Sequence, residues 1–539
     1  METKHSSSPS DAPSPFLTQH KADVIGVLSG FDRLRFRGSL PQLYYARTMD
    51  AYLQVKGMLF KDFKEFALDL TRRVKDAALR LAQVAGRPFR YLPSCNTRKE
   101  ALARELIAQD RLEEGLVGVF GCVESCRTYF LCGNRQTKKL EFKLQSGKCQ
   151  HFYFYHLHPE FGLMHLRLQS WFPFLAQVCV NGREWLRRQM DRYQMRYVKK
   201  ENAFTHIRHV AGAQRLMDRQ LQINWPDQLD LILRQNHPLA REICEPLGLK
   251  YYWSAEESEY ATDLMFRSPA PLARIYPALV RHAITSFSSA DVMRFLGHRV
   301  PSHGRVAGHF KGEVVSDLKH RPEGIRVKHT LNANSIKMYD KQGTILRIET
   351  TINQTRDFRV FREAQIGPHG RAKEEGQKAW RILRKGVADL KRRAEVSHAA
   401  NQRYLAALGA TAGKIPLFQW ADEVCKPIHS EGRRFRAINP WAPQDAVLLQ
   451  AVNRGEFAIN GFRNRDLRAL LFKGKADPVE QARRSAAVGR KLALLRAHGL
   501  TKRVSRTHRY VLTQKGSTTI TALLAARQAN INELTAMAA

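Results

Sequence analysis

The sequence has few acidic residues for its number of basic ones. Among 539 residues, 50 Asp and Glu stand against 88 Lys and Arg, which leaves a formal net charge of +38. An excess this large indicates a polyanionic partner, most simply nucleic acid. An anionic membrane surface is the alternative.

The sequence also lacks long apolar runs and has few cysteines. No stretch reaches the roughly 18 apolar residues that a spanning helix needs, and no amphipathic anchor is visible, which disfavours the membrane alternative. The first residues, METKHSSSPSDAPSP, lack the apolar core of a secretory signal and predict a disordered tail. Eight Cys are no disulfide framework and favour a reducing cytoplasm, with a nucleoid-associated protein as the expectation.

An apolar fraction of 43% is enough for packed cores. The sequence pattern predicts a mixed α/β body. Apolar residues have helical spacing over 48–115, a β-rich block follows to about 180, residues 200–300 are mostly helical in character, and strands are predicted over 324–362. The predicted regions are a disordered tail (1–20), an α/β nucleic-acid-binding region (21–200), an α/β catalytic region (201–362), a basic helical linker (363–440) and a C-terminal DNA-binding module (441–539).

Turn signals refine this division. Gly30 to Asp32 lies between two β-rich runs and predicts a hairpin or two linked strands. Asn181-Gly182 predicts a turn that opens a strongly basic helix, and Lys341-Gln342-Gly343 predicts a hairpin turn between strands.

The C-terminal module has the most specific pattern. From Asp445 the order is helix, short β-like segment, helix, helix, hairpin, helix. This order resembles a MarR-like winged helix over about ninety residues. The residues that carry the resemblance are Lys491 to Leu495, Leu500, Tyr510 to Thr513 and Gly516. The resemblance implies a helix in the major groove and a wing on the backbone. The basic residues expected to contact DNA here are Arg483, Arg484, Arg490, Lys491, Lys502, Arg503, Arg506 and Arg509. The alternative is a basic module that only packs on its own protein or on a partner.

The segment after the β-rich block combines aromatic and basic residues. Arg183, Arg187 and Arg188 on the predicted basic helix are expected to contact phosphates. Surfaces of this composition stack the bases of single strands, although such aromatic residues are more often core. The aromatic residues concerned are Trp171, Phe172, Phe174 and Trp185.

Two groups of residues have the chemistry of metal ligands. Cys122, Cys126, Cys149 and His151 offer thiolates and an imidazole for a structural Zn²⁺, with buried reduced cysteine as the alternative. His156 and His158 lie two apart on a β-type run, so both imidazoles point the same way.

The pair His156 and His158 resembles the His-hydrophobe-His arrangement of rolling-circle nickases and relaxases. That resemblance implies a tyrosine nucleophile on a nearby helix, and Tyr193 matches in sequence position. A His-x-His pair also arises by chance in a sequence with twenty His.

The block SIKMYDKQGTILRIETT resembles strands of some rolling-circle replication initiators. The alternative is a charged hairpin whose Arg and Glu pair across the strands. The matching residues, which would bind metal or DNA, are Tyr339, Asp340, Lys341, Arg347 and Glu349.

Carboxylates grouped in so basic a chain suggest a bound Mg²⁺ or Mn²⁺. Glu259 and Asp263, at i and i+4, are expected on one helix face, and Asp32 at the end of the first strand is expected to join them. With Asp340 and Glu349, which are expected to face one side of a strand pair, these acids form the predicted catalytic set. The alternative is that they pair with arginines of the same body.

The whole chain resembles a bacterial family of long mobile-element-like proteins ending in this winged helix. The resemblance rests on FDRLRFRG, WFPF with NGREW, EYATD, SIKMYDK with LRIETT, and GEF with GFRNRDLR. It implies action on the element's own nucleic acid. The prediction is metal-dependent DNA strand cleavage or transfer by a nuclease, transposase or replication initiator. The alternatives are a non-catalytic winged-helix transcriptional regulator and a protein that binds structured RNA.

Overall fold

A computed structural model describes most of the chain. The described residues are 14–237, 239–298, 313–321, 324–363, 378–409, 417–430, 432–454, 456–457, 461–472, 474, 477–504 and 507–529. None of the helices in these ranges combines the length and apolarity that crossing a membrane requires.

Helices and strands both occur throughout these residues, so the predicted mixed α and β class is confirmed. The strands are β1 (Val24–Ser39), β2 (Phe89–Tyr91), β3 (Gly115–Asn134), β4 (Lys139–His158), β5 (Gly162–Gln169), β6 (Ala176–Asn181), β7 (Tyr197–Lys200), β8 (Ala203–Ile207), β9 (Tyr252–Phe266), β10 (Val314–Arg321), β11 (Gly324–Leu331), β12 (Asn334–Lys341), β13 (Ile345–Ile352), β14 (Arg359–Glu363), β15 (Lys378–Ile382), β16 (Ile428–Ser430), β17 (Arg433–Phe435), β18 (Phe462–Arg463), β19 (Thr501–Arg503) and β20 (Arg509–Leu512). The helices are α1 (Pro15–Gln19), α2 (Ala46–Val55), α3 (Phe63–Val84), α4 (Lys99–Asp110), α5 (Gly182–Arg192), α6 (Val210–Asp218), α7 (Trp225–Asn236), α8 (Ala240–Cys244), α9 (Pro269–Thr285), α10 (Ser289–Phe295), α11 (Leu390–Gly409), α12 (Leu417–Val424), α13 (Pro443–Val452), α14 (Asn464–Leu471), α15 (Pro478–Ala497) and α16 (Gln514–Gln528).

The chain divides into two compact units built from separate stretches of sequence. The first unit comprises Ser29–Tyr260 and Arg384–Lys391, and the second comprises Met1–Leu28, Ala261–Leu383 and Arg392–Ala539. Two of the boundaries fall inside the continuous strands β1 and β9. The units therefore do not follow the consecutive regions predicted from composition, because a boundary inside a strand carries no loop signal.

The first unit is organised by a sheet with the strand order β1-β6-β5-β4-β3-β2. Neighbouring strands are antiparallel except β2 and β3, which are parallel. One face of this sheet is apolar and is covered by helices. The Phe36 ring lies 4.7 Å from Trp225 of α7, and the Phe142 ring lies 4.7 Å from Phe63 of α3. The opposite face carries polar side chains and also an apolar cluster, in which Phe120 and Tyr155 are buried with Leu106 of α4.

The second unit contains the antiparallel order β10-β11-β12-β13. The predicted turn between β12 and β13 is confirmed, with Gln342 and Gly343 at φ angles of 57° and 69°. Met338 and Ile348 of this pair are buried in an apolar cluster that includes Leu279 of α9 and Tyr404 of α11. Strand alternation thus places one face of the hairpin in the core.

The C-terminal segment follows the predicted order of elements in its described part. Helix α13 precedes the short strand β18, helices α14 and α15, strands β19 and β20, and helix α16, and the three strands pair in the order β18-β20-β19. The winged-helix resemblance itself stays a prediction. Val424 and Ile438 are buried in the same apolar cluster as Leu449 of α13. The packed core therefore begins before the predicted boundary at residue 441.

Several local predictions are wrong. Strand β1 runs without interruption through Gly30 to Asp32, where a hairpin or two linked strands were expected. A Cβ atom at Gly30 would lie 2.3 Å from the Met217 side chain. The glycine therefore allows Met217 to pack closely against the strand and does not form a turn. The expected disordered tail (1–20) is contradicted at α1, in which Phe16 is fully buried. Residues 1–13, and residues 364–377 of the predicted basic helical linker (363–440), lie outside the described residues.

The basic helix predicted after Asn181-Gly182 is α5 (Gly182–Arg192). The Asn181 side chain accepts hydrogen bonds from the backbone N–H groups of Arg183 and Glu184 at 2.8 and 2.9 Å, so the expected turn is a helix N-cap. The helix ends at Arg192, and residues Tyr197–Lys200 form β7.

Candidate functional site

The polar face of the first unit's sheet brings together residues from distant parts of the sequence. Pairing sets Arg37 beside Gln177, Gln177 beside Arg167, and Arg167 beside Tyr153. Because directly paired residues share one face, these side chains form a row across four strands. We call this surface the polar sheet face and include in it Glu124 of β3, which is bonded to Tyr153.

Glu124 anchors the charges of the polar sheet face. Its carboxylate lies 2.7 Å from Arg167 Nη2 and 3.3 Å from Lys99 Nζ, and it accepts a hydrogen bond from the Tyr153 hydroxyl at 2.8 Å. Burial alone would raise the pKa of Glu124, but Arg167 and hydrogen bonds to the carboxylate lower it to about 2. The group is therefore a fixed anion at neutral pH.

The predicted zinc ligands come together only in part. The ligand atoms of Cys126, Cys149 and His151 lie within 4.8 Å of one another, and the two sulfurs are 3.3 Å apart. Cys122 is directed elsewhere, because its thiol donates a hydrogen bond to Glu124 at 3.1 Å. Burial lowers the pKa of His151 to about 4, so its imidazole is neutral at physiological pH. These three residues are a candidate metal group.

The second predicted metal group, His156 and His158, makes the hydrogen bonds of ordinary structural side chains. His156 Nε2 lies 2.8 Å from the Asn236 amide oxygen, and His158 Nδ1 accepts the backbone N–H of Glu160 at 3.0 Å. In the described part of the chain, neither histidine belongs to a group of three convergent ligand atoms. The Tyr193 hydroxyl accepts a hydrogen bond from Arg219 at 2.7 Å. The nickase arrangement gains no support from these contacts.

The arginines of α5 are engaged within the protein. Arg183 is fully buried, with its Nε 3.7 Å from Asp32, so its expected contact with a phosphate is wrong. Arg187 lies between Glu184 and Asp191 at 3.1 and 2.9 Å. An Arg188 amino group donates to the carbonyl of Glu113 at 3.1 Å. The three arginines of this helix that were expected to contact phosphates are therefore bonded to groups of the protein itself.

Two of the predicted catalytic acids lie close together in the first unit. The carboxylate oxygens of Asp32 and Glu259 are within 4.8 Å of each other. Asn202 donates to Asp32 at 2.8 Å, and Arg33 lies 3.2 Å from Glu259. Glu259 and Asp263 are on strand β9, so the expected shared helix face is wrong.

The remaining predicted acids, Asp263, Asp340 and Glu349, lie in the second unit. Asp263 and Glu349 are paired with cationic side chains. Both oxygens of Asp263 accept hydrogen bonds from Arg347, at 2.6 and 2.8 Å, and both side chains are almost fully buried. Glu349 pairs with Lys337 at 2.7 Å. Asp340 pairs in register with Leu346, whereas Glu349 pairs with Lys337, so the two acids point to opposite faces and the predicted common side is wrong. Desolvation raises the pKa of Asp340.

The C-terminal basic residues divide into exposed and engaged groups. Arg483, Arg490, Lys502 and Arg503 are exposed. The others are more enclosed: Arg484 lies 3.0 Å from Glu480, Arg509 lies over the Phe361 ring at 4.2 Å, and Lys491 is half-buried. Arg506 lies outside the described residues.

A cavity of about 520 Å³ opens in the first unit beside α3, β3 and β4. Phe60, Phe63 and Trp171 supply aromatic walls. Phe63 is held by ring contacts with Phe142 at 4.7 Å and Trp171 at 6.1 Å. The cavity is within the size range of small-ligand sites, and its aromatic residues pack against one another.

Three lysines, Lys61, Lys64 and Lys148, also line this cavity. Within the described ranges, none of their ammonium groups has a carboxylate partner. An aromatic wall beside unneutralised cations suits a ligand that has a flat ring and a negative charge.

Sequence reasoning found only one member of this cavity. Trp171 was expected to stack on bases and lines the cavity, whereas Phe172, Phe174 and Trp185 are buried in the core. Lys61 lies in the turn before α3, Lys64 lies on α3, and Lys148 lies on β4 more than eighty residues later. The three lysines form no sequence motif. Their convergence follows from packing alone.

Comparisons of this chain with protein-family models, with curated proteins and with solved structures give no match.

Proposed function

We propose that the protein binds nucleic acid and holds an unstacked nucleotide of a single strand in the lysine-lined cavity. The observation that carries this proposal is the combination of Phe60, Phe63 and Trp171 with three unneutralised lysines in one cavity of about 520 Å³. Stacking on an aromatic side chain is open to every base, and ammonium groups attract the adjoining phosphates. The net charge of +38 supports a polyanionic partner over an isolated anionic metabolite.

The second part of the proposal concerns the C-terminal segment. Arg490 on α15 is exposed and so are Lys502 and Arg503 on β19. A helix and a hairpin that both carry exposed cations suit a duplex backbone, as in winged-helix proteins. This surface would hold duplex DNA while the cavity holds a single-stranded part.

The cavity is tested with fluorescently labelled single strands of DNA and RNA. The double variant Lys64→Ala and Lys148→Ala should bind more weakly, with a salt slope shallower by about 1.4, because each lost phosphate contact contributes about 0.7. Trp171→Ala should cost about 1–3 kcal/mol through lost stacking. Lys75→Ala is the matched control, since this lysine is exposed on the same helix but does not line the cavity.

Equal binding by the double variant and by Lys75→Ala would overturn the proposal. Saturation of the cavity by mononucleotides, without competition from oligonucleotides, would assign it to a small anionic ligand. Preference for DNA or for RNA would identify the natural partner.

Metal-dependent strand cleavage is a second candidate function. It is favoured by the approach of the Asp32 and Glu259 carboxylates to within 4.8 Å. Paired carboxylates suit Mg²⁺ or Mn²⁺, which would turn repulsion of a phosphodiester into attraction and stabilise the attacking and leaving oxygens. Such an ion would compete with Arg183 and Arg33, which lie 3.7 and 3.2 Å from these acids.

Cleavage is tested by incubating labelled single strands and duplexes with the protein and Mn²⁺. Asp32→Asn and Glu259→Gln should abolish the products. Glu257→Gln should retain them, because Glu257 pairs with Arg33 at 2.8 Å and lies outside the acid pair. Mn²⁺ binding to the wild-type chain, followed by electron paramagnetic resonance, provides a readout that does not depend on variant folding. Absence of both cleavage and Mn²⁺ binding would leave nucleic-acid binding as the function.

A further inference from the structure

The group Cys126, Cys149 and His151 is formed by the pairing of β3 with β4. In the ladder, Cys122 lies opposite His151, Glu124 opposite Cys149, and Cys126 opposite Gly147. Alternate residues of a strand share a face, so the two cysteines are diagonal neighbours and the histidine lies next to them. The positions result from main-chain pairing within one unit, and no loop conformation is needed to hold them.

The tautomer of His151 is set by its contact with the backbone. Its Nδ1 lies 3.1 Å from the carbonyl oxygen of Cys149. A carbonyl oxygen only accepts hydrogen bonds, so Nδ1 carries the proton and Nε2 carries the lone pair. A backbone carbonyl that orients an imidazole in this way is a common feature of metal-bound histidines.

The lone pair on Nε2 has no protein partner. His151 has 0% exposure, and its Nε2 makes no hydrogen bond to any described residue. Buried polar atoms are rarely left without a partner, because desolvation is then uncompensated. The ring therefore offers a buried ligand atom with an unused lone pair.

We propose that Cys126, Cys149 and His151 bind a Zn²⁺ ion, with a fourth position left for water or another small ligand. Thiolate and imidazole are the ligand types that zinc prefers, and three protein ligands leave one tetrahedral position open. Two sulfurs that each lie about 2.3 Å from a tetrahedral ion are about 3.8 Å apart. The observed separation of 3.3 Å requires only a small opening of the pair.

Charge favours the same assignment. Two thiolates neutralise a divalent ion, so the filled site adds no net charge to the sheet. The nearby Glu124 carboxylate is already paired with Arg167 and Lys99, at 2.7 and 3.3 Å, and keeps these partners. A hard ion such as Mg²⁺ is excluded by the sulfur ligands, since it prefers oxygen.

The full-length protein is purified under reducing conditions, and its metal content is measured by mass spectrometry. We expect about one zinc per chain. Replacement by Co²⁺ should give the intense near-ultraviolet band of thiolate-to-metal charge transfer. The double variant Cys126→Ser and Cys149→Ser should lose the metal, as should His151→Asn. Cys132→Ser is the matched control and should keep it, because Cys132 lies on the same strand but outside the group.

Alkylation of the wild-type chain makes the test independent of variant folding. Cys126 and Cys149 should react with iodoacetamide faster after zinc is removed by a chelator, while the exposed Cys95 should react equally in both states. Zinc content well below one per chain, or a disulfide between Cys126 and Cys149 with no protection by zinc, would overturn the proposal. Equal metal loss in Cys132→Ser would overturn it as well.

Discussion

The buried ion pair between Asp263 and Arg347 allows a direct test of whether Asp263 is structural. The two side chains have relative exposures of 2% and 1%. The guanidinium donates two hydrogen bonds to the carboxylate, at 2.6 and 2.8 Å. Asp263→Ala removes the anion and leaves a permanent cation in the core, because arginine does not deprotonate in proteins.

The expected loss is large. Breaking a buried pair by removing one partner costs about 3–5 kcal/mol, compared with a total stability of roughly 5–15 kcal/mol for a typical protein. A chain with two units does not unfold in a single step, so the cost is best measured locally. Amide hydrogen exchange in β13 should accelerate by roughly 140- to 3,700-fold, because each 1.4 kcal/mol is a factor of ten.

Two comparisons make the result specific. Exchange in β5 of the first unit is the internal control and should change little. Replacing both partners together, as Asp263→Leu with Arg347→Met, should restore much of the protection, since an apolar pair removes the desolvation cost of both charges. Unchanged exchange in Asp263→Ala, together with loss of strand cleavage, would refute the reasoning and return Asp263 to the catalytic set.

Two further predictions concern the C-terminal segment. The double variant Arg490→Ala and Lys502→Ala should lower the affinity for duplex DNA. The slope of log affinity against log salt concentration should become shallower by about 1.8, because each duplex phosphate contact contributes about 0.9. An unchanged slope in a binding titration would contradict the proposed surface. The hydrogen bonds from Arg436, at 2.6 and 2.7 Å, lower the pKa of Asp445. A depressed carboxyl pKa stabilises the fold above the unfolded value, about 3.9, and this contribution disappears as the pH falls through the folded value. Asp445→Asn should therefore lower the thermal midpoint at pH 7, and the loss should shrink as the pH falls below about 4. A loss that is the same at every pH would contradict the role of the ion pair.

Local sequence pattern was sufficient where local interactions decide the structure. The β-rich block became strands β3 to β6, the apolar spacing between 48 and 115 became helices, and the turn at Gln342 and Gly343 formed where glycine chemistry predicted it. The basic excess is likewise a property of composition. None of these features depends on which distant segment comes alongside.

Local pattern failed where burial reverses a local preference. Glu259 and Asp263 have helical spacing, yet they lie on β9, in which most residues after Ser258 are buried. Pairing with neighbouring strands and desolvation outweigh the weak intrinsic preference of such a segment. The faces on which Asp340 and Glu349 lie were also not predictable from local pattern. They depend on how β12 and β13 pair, because a shift of one residue in strand register moves a side chain to the opposite face of the sheet.

The sequence by itself determined that this protein is basic, mixed in secondary structure and equipped with thiol, imidazole and carboxylate groups. Only the tertiary structure decided which of these groups meet. It placed Arg183 against Asp32, brought three lysines to one aromatic cavity, and set Cys126 beside Cys149 with the neighbouring imidazole. The reason is physical: these encounters depend on strand register and helix packing between segments far apart in sequence, and neither residue type nor spacing records them.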